Sequence, residues 1–388
     1  MDLTRRFAII VHGGAGNHPE RSQKQVKAAL KRACIRAADL LRDASATALD
    51  AVEAAIREME DEECLNAGYG SNLTIDGKVE CDAALMEGRG AFGSIGAVSG
   101  IKNPITAGRY VLENGRITRL HPLGRVPPMT LVADGVVKFC SSQIPSQAPM
   151  FKVDTVPIES LISVRASEEW RYWTNRLTVA QSQETVTAMG DTVGAIVLCD
   201  NQIAAGVSSG GLLLKYSGRV GECMGLGAGQ HRRMPHQESR PVSRVSFREW
   251  MFWIQLIANT LGTGEQIMRG AVARSVCEAC SPSTTDDPIG GLTEVFKQFI
   301  ENERGTRLSD PEDIQVGTIV LHFEDGESGL SARLLIAFTT PSFAVGSISS
   351  DDLVPKASIH RQQSRPSDGR SPLYVSSKLL LSGHGHSE

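Results

Sequence analysis

Apolar residues in this chain gather into short unbroken runs more often than into long one-sided stripes. FAIIV at 7–11, VGAIVL at 193–198 and VGTIVLHF at 316–323 each read as a strand covered on both faces. The first run ends at His12-Gly13-Gly14-Ala15-Gly16, which predicts a loop with unusual backbone angles. Residues 23–42 are helical in composition and spacing. A second helix starts at Thr47, capped with Asp50 at its third position, and runs through Val52, Ile56 and Met59. A glycine-broken loop follows at 66–72. LTIDGKVECDAAL at 73–85 then predicts a hairpin turning at Asp76-Gly77. Residues 94–105 read as a strand passing into a turn, and 107–113 as a short helix.

The pattern changes from Cys140 to Asp191. SSQIPSQAP and QSQETVTAMG are polar and lack apolar periodicity, so 141–191 reads as a mobile loop in which 168–177 forms an amphipathic turn or two. Order resumes with TVGAIVLCD and QIAAGVSSGG as paired strands. A glycine-punctuated stretch, a helix over 265–280 and strands at 316–323 and 331–340 come next. The tail, 351–388, reads as disordered. Strands and helices thus occur on both sides of the polar segment, which predicts two halves, 1–191 and 192–388, of one layered α/β domain.

Composition narrows the function classes. The chain has 388 residues, enough for two domains or one large one, with 41% hydrophobic and 22% charged residues as in ordinary globular proteins. A net charge of −4 offers no electrostatic reason to bind nucleic acid or an anionic membrane. The five-residue apolar run near the start is too short for a signal-peptide core, and no run approaches a membrane span, so an intracellular location is expected. The eight cysteines are scattered among apolar neighbours and read as reduced thiols. Cys277 and Cys280 have CxxC spacing with no second pair to complete a zinc site.

The chemistry turns on Asp191-Thr192. Read plainly, a β-favouring threonine opens a strand after a loop-ending aspartate. If the bond between them were cut, however, Thr192 would carry a free α-amine with a pKa of roughly 7.7–8 beside its own hydroxyl, giving base and nucleophile in one residue. The nine histidines show no catalytic spacing that would offer another nucleophile–base pair. Gly-rich stretches at Ser209-Gly210-Gly211, Arg219-Val220-Gly221 and Thr260 to Glu265 can supply backbone N–H groups and an arginine to an acyl-transfer site.

Taken in order, HGGAG (12–16), NAGYGSNL (66–73), ECDAALMEG (80–88), GAVSGIKNPI (96–105), DTVGAIV (191–197), SSGGLLLKYSGRVG (208–221) and GTGEQIMR (262–269) resemble the type 2 asparaginases, N-terminal-nucleophile hydrolases that cut themselves to expose a threonine. SSGG followed by LLLK, GRVPP at 124–128 and the long segment before Thr192 are similar to the threonine aspartase (taspase) branch. The resemblance implies a four-layer αββα sandwich, no cofactor, and a cut after Asp191 that leaves two fragments in one catalytic unit, which pairs with a copy of itself. It implies Thr192 as nucleophile, Ser209 hydrogen-bonded to it, Thr260 or Gly262 in the oxyanion hole, and Arg219 holding a substrate carboxylate. Glu222, Gly210 and Gly264 line the same pocket. It also implies a structural sodium at the loop 66–72. The taspase likeness implies protein substrates with an exposed Asp-Gly site, among them nuclear transcription regulators, and hence a nuclear or cytoplasmic address.

Two stretches depart from the pattern. Small-substrate asparaginases carry aspartate directly after GRVG to receive the substrate's amine, whereas this chain has Glu222. Residues 230–257 have no counterpart; the stretch is expected to be foreign to the folded domain, as a translated intron would be, rather than a partner-binding insertion. Its WMFWIQLI would otherwise expose an apolar patch. The loop 141–190 also lacks the basic run that serves taspases as a nuclear signal. Three functional readings follow: a self-cleaving threonine endopeptidase cutting after aspartate, an isoaspartyl peptidase or L-asparaginase on small substrates, and a silent, uncut binding protein.

Overall fold

A computed structural model describes residues 5–116, 124–141, 153–178, 192–200, 202–225, 230–233, 251–258, 263–280, 287–305, 314–326, 329–362 and 373–382. The chain opens with strand β1 (Phe7–Gly16), helices α1 (Gln23–Leu40) and α2 (Ala48–Glu60), strands β2 (Cys81–Glu87) and β3 (Phe92–Val98), helix α3 (Pro104–Arg116), the short strand β4 (Thr130–Val132), and helices α4 (Asp134–Ser141) and α5 (Val164–Thr178). After the polar segment come β5 (Val193–Cys199), β6 (Gln202–Ser209), β7 (Gln230–Arg233), β8 (Met251–Ala258), α6 (Thr263–Gly270), α7 (Val272–Ala279) and α8 (Pro288–Gly305). Strands β9 (Val316–Gly326), β10 (Gly329–Phe338), β11 (Ser342–Ser349), β12 (Lys356–Arg361) and β13 (Tyr374–Leu381) complete the chain.

Two sheets result. The larger has eight strands in the order β12-β11-β1-β5-β6-β2-β3-β4, and the smaller has five in the order β13-β10-β9-β8-β7. All pairings are antiparallel except β3 with β4. Two-sided burial explains the unbroken apolar runs. In β1, Ile9 and Val11 face a cluster with α1 and α2 residues such as Leu30, Val52 and Ile56, while Ala8 and Ile10 face a second cluster with Ile319, Leu321, Leu334 and Ile336 of the other sheet. Strand β5 divides the same way, Val197 to the first and Ile196 and Leu198 to the second. On the far side of the smaller sheet, Val320, Leu335 and Ala337 join Val276, Leu292 and Phe296 of α7 and α8. Each large side chain buried this fully contributes on the order of 1.5–3 kcal/mol.

Several local expectations hold. Thr47 and Asp50 form a reciprocal capping box at the start of α2, and β5 pairs with β6 along its whole length, from Val193–Ser208 to Cys199–Gln202. Others change. His12 to Gly16 continues β1 instead of leaving it; the register slips between His12 and Ala15, with Gly14 at φ +100°, so the glycines serve a bulge. The hairpin at 73–85 shrinks to one bridge, Leu73 to Val79, because β2 pairs with β3 and β6. The helix over 265–280 is two helices, broken at Ala271, whose φ is +42°.

Three larger differences concern the polar segment, the tail and the stretch expected to be foreign. In the polar segment, α5 is a 15-residue helix. In the tail, β12 pairs with β11 and β13 with β10, each closing one side of a sheet. Residues 251–258, expected to be foreign to the domain, pair with β9 from Met251–Phe323 to Ala258–Val316 and lie between β9 and β7. An eight-residue run rich in aromatic and β-branched residues is suited to such an inner strand. No helix among the described residues is long and apolar enough to cross a membrane, and the eight cysteines are free thiols, six of them buried.

Candidate active site

Thr192 stands immediately ahead of β5, where the polar segment meets the larger sheet. It is buried, 2% exposed. The pairing of β5 with β6 sets Val193 opposite Ser208, which brings the next residue, Ser209, beside the threonine: Thr192 Oγ1 lies 3.1 Å from Ser209 Oγ. The same oxygen lies 3.2 Å from Glu222 Oε1. One hydroxyl proton can serve only one of these acceptors at a time. Cys223 is also within reach, its thiol 3.6 Å from Thr192 Oγ1 and 3.5 Å from Glu222 Oε1, either of which its one proton can serve.

The turn after β6 is fixed from below. Gly211 N–H donates to Ser209 Oγ at 3.0 Å, and Gly210 N–H to the Asn66 carbonyl at 2.9 Å. A Cβ on Gly210 would stand 2.4 Å from Asn66 Oδ1, so only glycine allows this approach. Asn66 and Asn72 both donate to the Gly211 carbonyl, at 2.8 and 3.0 Å, and Asn66 Oδ1 accepts from Asn72 N–H. The loop 66–72 is therefore a buttress for the serine turn. Carbonyl oxygens of Leu65, Glu62 and Glu63 crowd to 1.9–3.0 Å of where a Cβ on Gly70 would be. The Glu62 and Glu63 carbonyls already accept from Leu65 N–H at 3.1 Å and from Arg165 Nε at 3.0 Å, so the crowding accounts for the glycine at position 70.

Arg219 reaches the site on the loop after β6. Its Nε and Nη2 donate to the two carboxylate oxygens of Glu265, each at 2.8 Å, a side-on bidentate pair. Glu265 belongs to α6, which links that helix to the site. Burial opposes the guanidinium's charge, but the Glu265 bonds and the nearby Glu222 and Asp82 carboxylates outweigh it and raise the arginine's pKa. Gly264 stands close against both charges: a Cβ there would sit 2.8 Å from Glu222 Oε2 and 3.0 Å from Arg219 Nη2 and would displace these side-chain ends. Glu222 is itself buried, and burial raises its pKa although Arg219 works against the shift. Burial and the adjacent Glu222 carboxylate push the Cys223 thiol well above its ordinary value.

Six of the sequence-predicted residues therefore converge: Thr192, Ser209, Gly210, Arg219, Glu222 and Gly264. Asp191, Thr260 and Gly262 lie outside the described residues. Sequence reasoning missed Asp82, whose oxygens accept from Ala97 N–H at 2.8 Å and Gly221 N–H at 2.7 Å, tying β2 to β3 and to the arginine loop. The signal was available as a lone carboxylate inside the apolar run CDAALM. Glu265 and Cys223 also went unassigned, and neither has a local pattern that sets it apart. Chemically, the arrangement offers a buried hydroxyl with two oxygen acceptors, next to a cation held among three carboxylates. That combination suits acyl transfer on a substrate carrying both a carboxylate and an ammonium group.

The sequence profile of the family described as Asparaginase matches residues 5–233. The plant-type L-asparaginase of Pyrococcus horikoshii is 38% identical over 228 residues, covering 58% of this chain and 70% of that protein. The isoaspartyl peptidase/L-asparaginase of Xenopus laevis is 32% identical over 275 residues, 69% of this chain and 74% of that one, and its counterpart from Mus musculus is 31% identical over 226 residues, 58% of this chain and 63% of that one. With the profile spanning more than half of its length, the chain belongs to the type 2 asparaginase family of N-terminal-nucleophile hydrolases.

Proposed function

We propose that this chain is a self-cleaving threonine hydrolase of the isoaspartyl peptidase/L-asparaginase kind, acting on small substrates that carry an aspartyl β-amide. The observation that carries the reading is the placement of Thr192 Oγ1 within hydrogen-bond reach of both Ser209 and Glu222. Glu222 Oε2 and Arg219 Nη2 both lie beside Gly264, so a substrate whose α-carboxylate takes the place of Glu265 on the guanidinium can bring its α-ammonium to the glutamate. Glu222 keeps the negative charge that small-substrate asparaginases place after GRVG. In this reading Thr192 Oγ, freed by the cut after Asp191, attacks the β-carbonyl, and its own α-amine takes the hydroxyl proton and passes it to the leaving amine. Water then releases aspartate from the acyl-enzyme. The three apolar clusters support the finer reading of the fold as a four-layer αββα sandwich, and the cut chain is expected to pair with a second copy.

A second reading, a threonine endopeptidase cutting proteins after aspartate, is favoured by the length of chain between α4 and Thr192 and by the helix α5 within it. The two readings separate in one assay on the cut protein. Steady turnover of a β-aspartyl dipeptide, with no cleavage of a peptide containing Asp-Gly, is the expected result. The reverse pattern would replace the small-substrate reading by the endopeptidase, and neither activity in a cut protein would sink both.

A further inference from the structure

Self-cleavage needs a base before any free α-amine exists, because the amine of Thr192 is still tied up in the peptide bond to Asp191. We propose that Glu222 is that base: in the uncut chain its Oε1, 3.2 Å from Thr192 Oγ1, removes the hydroxyl proton and so starts the cut after Asp191. The inference rests on the self-cleaving reading above and adds a step that substrate turnover does not use.

The surroundings favour Glu222 over the other neighbours of the hydroxyl. Ser209 Oγ, at 3.1 Å, already accepts from Gly211 N–H and is a neutral oxygen of low basicity. The Cys223 thiol, whose proton can go to Thr192 Oγ1 or to Glu222 Oε1, is held protonated by burial and by Glu222. Asp82 accepts two backbone N–H bonds, and Glu265 accepts two bonds from Arg219, so both carboxylates are committed elsewhere. Glu222 is buried beside the hydroxyl, and burial makes its carboxylate more basic than an exposed one, with Arg219 as the opposing charge.

The step balances as a shift of the acyl group from nitrogen to oxygen. Glu222 Oε1 takes the proton as Thr192 Oγ bonds to the Asp191 carbonyl carbon. The protonated carboxyl returns that proton to the Thr192 nitrogen as the carbon–nitrogen bond breaks, leaving an ester between the Asp191 carboxyl and the Thr192 hydroxyl. Water then hydrolyses the ester, freeing the Asp191 carboxylate and the Thr192 α-amine, and Glu222 is left ionised to face the substrate's ammonium. One residue thus serves maturation first and substrate binding afterwards.

The test follows the full chain from cell-free synthesis by intact mass against time, at several pH values, as wild type, Glu222→Gln, Glu222→Asp and Ser209→Ala. Wild type should cut at a rate that rises with pH through the carboxyl's titration and then levels. Glu222→Gln, which keeps the size and an acceptor oxygen, should cut about 100-fold slower or less, the scale of a lost general base, and lose that rise. Glu222→Asp should retain the rise with a reduced rate, which also covers the case in which the amide variant does not fold. Glu222→Gln cutting within threefold of wild type, or Glu222→Asp cutting with no pH rise, would overturn the proposal. A wild type that never cuts would instead remove the self-cleaving reading on which it rests.

Discussion

Glu60 shows how much a single residue behind the site depends on its surroundings. It ends α2, is fully buried, and its Oε1 accepts from Ser208 Oγ at 2.7 Å and Ile105 N–H at 3.0 Å. Burial raises its pKa to about 8 against the pull of these bonds. The native state therefore keeps a proton that the unfolded chain releases above its ordinary value near 4.5. The resulting contribution to stability is fully present below pH 4.5 and is lost as pH rises through about 8. Across that window the wild type should lose stability relative to Glu60→Gln by up to about 1.4 kcal/mol per pH unit. Urea unfolding of both proteins at pH 5, 6.5 and 8 checks this, and parallel pH dependences would contradict it. Ser208 neighbours Ser209, so this acid also bears on the strand that carries the hydroxyl's partner.

At the scale of elements, α5 is the clearest case of structure that the sequence pattern hid. Its apolar positions announce only an amphipathic turn or two within a polar segment, and the full helix is tied down by hydrogen bonds from Arg165 and Trp170 and by Ala166 and Trp170 packed on the core. Arg165 donates from Nε to the Glu63 carbonyl at 3.0 Å and from Nη2 to the Gly70 carbonyl, while its own N–H donates to Glu63 Oε1 at 2.9 Å. Trp170 Nε1 donates to the Thr74 carbonyl at 2.9 Å. The helix is thereby tied to the loop that buttresses Ser209. Bonds from a charged donor contribute about 1.5–3 kcal/mol, so Arg165→Ala should loosen both segments together. Hydrogen exchange should show protection falling in 164–178 and in 66–72 alike, whereas a loss confined to the helix would contradict the coupling. Strands buried on both faces, such as β1, β5 and β9, were legible from their unbroken apolar runs, and α2 from its capping box. β12 and β13 were not, because each lies at the edge of a sheet with most of its residues exposed or half-exposed and so looks like a polar tail. The site was legible in its motifs, from Thr192 to Gly264, but Asp82 and Glu265 act through partners more than a hundred or some forty positions away, and spacing along the chain does not carry such contacts.

The whole molecule is arranged so that a cut after Asp191 does not divide it. Strand β1, from the first half, lies between β5 and β11 of the second, and β2 pairs with β6. The apolar cluster between the sheets also draws on both halves. The two fragments should therefore elute together in size-exclusion chromatography under native conditions and separate only in denaturant. Separation on the native column would mean that these pairings do not hold after cutting.

The central claim is that Thr192 is placed to become an N-terminus, and intact mass of freshly purified protein tests it most directly, with Thr192→Ala alongside. The account predicts two fragments, residues 1–191 and 192–388, in the wild type and a single uncut chain in the variant. A wild type that stays uncut over days, or a variant that is cut at the same place, would contradict it.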